Sequence, residues 1–132
     1  MPKFAILTGL IALMASPVMA EDVLEEYLWL KRPVVIFADT PEDPRFKRQM
    51  ELLADRPDEL EIRDVIILTD TDPKADGPLR QELHPRDFML VLIGKDGRVA
   101  LRKPSPWSIR ELSRAIDKMP MRQDEIREQF SK

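Results

Sequence analysis

The chain has 132 residues, of which 34% are charged; 24 acids against 21 lysines and arginines set a net charge of −3 at neutral pH. That length suits one domain, and acids and bases interspersed along it lack the basic stripe that nucleic acid as a partner demands. The absence of cysteine excludes disulfide exchange, thiolate catalysis and zinc–thiolate sites.

The first twenty residues differ from the rest. Met1 to Lys3 carry one positive charge, an apolar run extends from Phe4 to Ala15, and Val18 and Ala20 stand where a signal peptidase reads small or aliphatic side chains. The run is short for a bilayer span, and Glu21 and Asp22 follow at once. A cleaved signal peptide over 1–20 is expected, followed by a single domain over 21–132 in the periplasm or outside the cell. No stable membrane anchor should remain after cleavage. Without cysteine there is no lipid attachment site and no disulfide, so packing alone must hold the exported domain together.

The spacing of Leu24, Tyr27 and Leu28 predicts a short amphipathic helix over Asp22–Leu30, ending before Pro33. Val34 to Ala38 is a continuous run rich in β-branched residues, the pattern of a strand covered on both faces. Asp43-Pro44 reads as an N-cap with proline at the first helical position. Phe46, Met50 and Leu53 then mark one helical face, and Arg56-Pro57 stops it. Val65 to Leu68 predicts a second buried strand, Asp70 to Gly77 a loop, and Pro78 to Leu83 a short helix ended by Pro85.

Phe88 to Ile93 is the third apolar strand, Gly94-Lys95-Asp96-Gly97 a hairpin turn, and Arg98 to Arg102 an edge strand. Ser105-Pro106 is expected to cap a helix carrying Ile109, Leu112, Ile116 and Met119 on one stripe; Pro120 interrupts it, and Met121 to Phe130 form a further charged helix. The order β-α-β-α-β-β-α suits an α/β, thioredoxin-like fold with a four-stranded mixed sheet flanked by helices, although element order alone leaves other small α/β folds open.

Three separated patches carry a family likeness: Leu24 through Ala38 with Tyr27, Trp29 and Lys31-Arg32-Pro33; Leu92 to Gly97; and Ile116 to Arg122. Together they resemble the domain of unknown function 4174 family across about residues 22 to 128. The resemblance implies a thioredoxin-like fold and an extracytoplasmic setting. It also implies kinship with the repeated domain of coiled-coil domain-containing protein 80 and the C-terminal domain of sushi-repeat-containing proteins. It implies no catalytic residues. The hairpin is also similar to that of peroxiredoxins and periplasmic thioredoxins, whose paired cysteines lie where the first strand meets the first helix. Here that segment reads Thr40-Pro41-Glu42-Asp43-Pro44-Arg45. Their cis-proline position corresponds to Phe88 or Met89, and Pro85 lies too early to replace it.

Asp39, Glu42, Asp43 and Arg45 follow the first strand, and Asp70, Asp72 and Asp76 follow the second. If those strands are adjacent and parallel, the carboxylates gather at one sheet end, where open α/β sheets bind ligands. Asp39, Glu42, Arg45, Asp70 and Asp72 therefore form a candidate ligand cleft, set against the plainer reading of solvated acidic loops. His84 stands alone and suits a surface or capping role; the chain has neither a Gly-x-Ser-x-Gly elbow nor a phosphate loop. Trp29, Arg32, Met121 and Arg122 are a candidate interaction surface, although tryptophans and arginines in such a chain also serve packing and solvation. The expected function is a non-catalytic, non-redox module that uses no cofactor or metal and binds an envelope protein or a small ligand. The alternatives are a cation-assisted hydrolase or lyase using Asp39, Glu42, Asp70 and Asp72, and a scaffold that docks through Met121–Phe130.

Overall fold

β1 (Arg32–Phe37) is buried along its whole length. It pairs in parallel with β2 (Val65–Asp70) on one side and antiparallel with β3 (Met89–Ile93) on the other. β4 (Val99–Lys103) pairs antiparallel with β3, so the sheet order is β2-β1-β3-β4. The structure is a computed structural model and describes residues 20–131. The leader expected over 1–20 lies, apart from Ala20, outside the described residues.

Side chains of β1 alternate between two cores, as the period of a strand requires. Val34, Ile36 and Ala38 face a larger cluster with Leu53, Leu60, Phe88, Leu90, Leu92, Leu112 and Ile116. Val35 and Phe37 face a smaller one with Leu83, Val91 and Ile93. Helices α2 (Pro44–Asp55), α3 (Pro57–Glu61) and α5 (Ile109–Asp117) supply the larger core. α1 (Ala20–Glu25) and α4 (Pro78–Leu83) cover the other face. The doubly covered first strand and the four-stranded mixed sheet are as the apolar runs indicate. Among the described residues no helix is long and apolar enough to cross a membrane.

Several boundaries differ from the sequence reading, each for a physical reason. β2 is an edge strand with mostly half-buried residues; its aliphatic run cannot reveal that only one neighbour pairs with it. The first helix stops at Glu25 and gives way to turns through Leu30. Pro57 does end α2, but it also opens α3, because proline lacks only an N–H that the first helical position does not use. Pro120 likewise opens α6 (Pro120–Phe130).

α5 is capped by Ser108 rather than Ser105. The Ser108 hydroxyl accepts from Glu111 N while Glu111 accepts from Ser108 N, a reciprocal capping box. β4 lies one residue beyond the expected edge strand, and its pairing with β3 shifts register between Leu92 and Ile93. Gly97, with φ +82, closes the hairpin; a Cβ there would stand 2.8 Å from Leu28 Cδ2.

Candidate functional site

The parallel pairing of β1 and β2 does bring the two acidic loops to one end of the sheet. Their carboxylates are separately engaged there. Asp70 Oδ1 accepts from Arg80 Nε at 2.9 Å and from Asp72 N at 3.0 Å. Arg80, buried on α4, also donates to Ala38 O and Asp70 O and lies over the Phe37 ring. This guanidinium therefore ties the ends of both strands to the helix above them. Asp72 caps a single 3₁₀ turn, Pro73–Ala75, and Glu42 pairs with Lys47 at 2.8 Å. Asp39 is exposed. Among the described residues no three aspartate, glutamate or histidine side chains converge as a cation cage. His84 ends α4 with φ +47, its amide donating to Arg80 O, which is a capping role.

Asp43 and Arg45 build the start of α2. Asp43 caps the helix by accepting from Arg45 N at 2.8 Å, and its carboxylate also takes the Arg45 side chain through Nε and Nη2. Arg45 Nη2 reaches on to Asp87 at 2.7 Å, and the guanidinium lies 5.7 Å from the centre of the Phe88 ring. The Arg45 hydrogen bond holds the Asp43 carboxyl below its usual range, and its two acidic partners push the arginine upward. Asp87 was no candidate in the sequence; it joins because the chain entering β3 passes the start of α2.

The opposite end of the sheet holds a larger ionic cluster, which corrects the proposed interaction surface. Arg32 is completely buried. Its Nη1 donates to Arg63 O at 2.8 Å, and its two terminal nitrogens meet Glu125 at 3.2 and 2.8 Å. Lys95 donates to Asp64 at 2.8 Å and to Glu125 at 3.1 Å. Arg122, also buried, donates to Asp117, which takes a two-pronged bond from Arg63. Burial acts to raise the Glu125 pKa, but hydrogen bonds and charge from Arg32 and Lys95 together overcome it and hold it down at about 2.

Arg32 and Arg122 therefore face inward, because β1 starts beneath α6. Met121 is half-buried. Of the four candidates only Trp29 is open, 62% exposed beside Leu30 at 65%. Trp29 has φ +66, and its amide donates to Lys95 O at 2.7 Å. α6 supplies Arg122 and Glu125 to this cluster from one face, while Phe130 near its end is 84% exposed.

The sequence model of the family described as "Domain of unknown function (DUF4174)" matches residues 23–125. The chain belongs to the DUF4174 family. Among solved structures it is similar to reduced 2-Cys peroxiredoxin from Plasmodium vivax, with TM-score 0.61 and 14% identity over 81% of this chain and 91% of that one. It is also similar to StoA from Bacillus subtilis, with TM-score 0.51 and 15% identity over 65% of this chain and 82% of that one. Identities this low show the fold alone: this DUF4174 chain is thioredoxin-like. The junction of its first strand and following helix carries Asp43 and Arg45, paired with each other and with Asp87 from the chain entering β3.

Proposed function

We propose that this protein is an exported, non-redox thioredoxin-like domain that works as a binding or accessory module for an envelope protein or a small ligand. The observation that carries the reading is a closed ionic group at the start of α2 in a thioredoxin-like chain that has no cysteine. With no cysteine in the chain, and with Asp43 and Arg45 committed to each other and to Asp87, that position has no thiol to act as nucleophile or electron donor. In this reading contact with the partner falls on Trp29 and Leu30. A bulky residue held exposed at positive φ is uncommon, and such backbone strain gathers at working surfaces.

The test has two arms. Purified protein assayed for insulin reduction and peroxide consumption should show no turnover above buffer; measurable turnover of either would overturn the reading. Tagged protein recovered from its native envelope should bring down a defined partner that a Trp29→Asn variant loses. The hydrolase or lyase alternative has no comparable support, because Asp70 is neutralised by Arg80 and Glu42 by Lys47.

A further inference from the structure

β2 has β1 as its one neighbour in the sheet, and its other side is an open edge. The ends of the ladder fix which way each backbone group points. Arg32 N donates to Asp64 O at 2.7 Å, and Ala38 N donates to Asp70 O at 3.1 Å. Backbone groups alternate in direction along a strand, so Ile66 and Leu68 turn theirs toward β1. Val65, Ile67 and Thr69 turn theirs outward. Their N–H and C=O groups on that side have no hydrogen-bond partner among the described residues.

An open edge is a template for another strand, and proteins commonly guard it with charge or proline. β4, the opposite edge, carries Arg102 and Lys103. β2 has no lysine, arginine or proline, and Val65 to Leu68 are consecutive aliphatic residues, all half-buried. Its single charge, Asp70, is held by Arg80 at 2.9 Å. Asp64, just before the strand, is held by Lys95 at 2.8 Å.

We propose that the outer edge of β2 pairs antiparallel with β2 of a second copy of this chain, across a two-fold axis at Ile67, so that two sheets become one. The occupant follows from direction and charge. In this register the two Ile67 residues oppose each other, Val65 of one copy opposes Thr69 of the other, and Ile66 opposes Leu68. Outward-facing residues thus meet outward-facing residues, and each free N–H finds a free C=O. Aliphatic side chains meet across the junction on the faces they already serve, Val65 and Ile67 with the larger core and Leu68 with the smaller. Asp64 and Asp70 are the like charges brought opposite, and each is already bound by a cation of its own copy. A junction of two β4 edges would set arginine and lysine against their own kind. The inference does not depend on the partner role given to Trp29 and Leu30.

Light scattering of the purified protein from about 10 μM to 1 mM tests the proposal. The mass should rise toward twice that of one chain, and hydrogen exchange at the Val65, Ile67 and Thr69 amides should slow as it does. Thr69→Pro removes one outward N–H from each copy and leaves the ladder with β1 intact, because Thr69 is exposed and its amide does not serve β1. It should raise the dissociation constant at least about tenfold, whereas Thr69→Val keeps the N–H and the dimer. A single-chain mass at every concentration, an unchanged dissociation constant in Thr69→Pro, or slowed amides that all lie outside β2 would each overturn the assignment. Should Thr69→Pro fail to fold, the mass and exchange pattern of the unmodified protein decide the matter alone.

Discussion

Arg32 at the head of β1 and Glu125 in the middle of α6 stand 93 positions apart in the chain and meet in a two-pronged ion pair. Arg32 is completely buried and Glu125 remains partly open to water. Lys95 joins the same carboxylate and links it to Asp64. The pair fixes the last helix of the chain to the start of its central strand.

Removing the carboxylate should therefore damage the fold. Glu125→Ala strands a buried guanidinium, and breaking such a pair from one side costs about 3 kcal/mol. Urea denaturation should show the lower midpoint with an unchanged slope. A loss below about 1 kcal/mol would mean that the pair is dispensable and Arg32 reaches water.

The same carboxylate makes acid stability predictable. The Glu125 pKa is lowered from 4.5 to about 2 in the folded chain. A carboxyl depressed on folding stabilises the native state above its unfolded pKa, and that stabilisation fades as pH falls toward the folded value. Asp117 is lowered in the same sense, mainly by its hydrogen bond from Arg63. Stability followed by urea titration should hold near neutral pH and drop between about pH 4.5 and 2, with Glu125 contributing on the order of 2–3 kcal/mol. If Glu125→Gln lost stability over that window as steeply as the unmodified chain, the assignment to Glu125 would fail.

Gln49 forms a second long-range lock. It is completely buried, donates through Nε2 to Trp107 O and accepts at Oε1 from Trp107 N, both at 2.8 Å. The amide thus replaces a missing strand partner for the backbone just before α5. Gln49→Leu leaves both backbone groups unpaired and should cost on the order of 2–3 kcal/mol. Hydrogen exchange at the Trp107 amide would report it directly; unchanged protection would show that the bond is not made.

Trp29→Asn separates strain from packing. Asparagine tolerates left-handed backbone, which costs other residues about 1–2 kcal/mol, and the indole is mostly exposed. Thermal stability should stay level or rise by up to about 1 kcal/mol while capture of the envelope partner is lost. A clear drop in stability with the partner still bound would make Trp29 a packing residue instead.

Much of the fold is legible from local pattern. The apolar run Val34–Ala38 implies a strand with two covered faces, and Asp43-Pro44 announces a helix start by residue type alone. Ser105 and Ser108 look equally able to cap α5. Only the reciprocal bond with Glu111 separates them, and Glu111 three positions beyond Ser108 was a readable sign. The edge position of β2 was not readable, because aliphatic residues suit a central strand and a half-covered one alike.

The candidate site was legible only in outline. Asp39, Glu42, Arg45, Asp70 and Asp72 do lie at one end of the sheet, as strand order requires. What each carboxylate faces depends on Arg80, Lys47 and Asp87, whose positions follow from packing. Arg32 resembled a surface arginine because its acidic partner, Glu125, lies 93 positions away. Arg122 has Asp117 and Glu125 close in sequence, but exposed helical arginines have such neighbours too, and only packing shows that it is buried.

Composition and local pattern determined the chemistry this chain lacks and the elements it builds: a cysteine-free sequence has no thiol to offer, and hydrophobic period and turn residues act within a few positions. Tertiary structure alone decided which charges meet across the fold, which arginines are buried, and which tryptophan faces water. Those outcomes depend on residues 30 to 93 positions apart meeting at distances of about 3 Å, and electrostatic and hydrogen-bond energies at that range are set by geometry rather than by order along the chain.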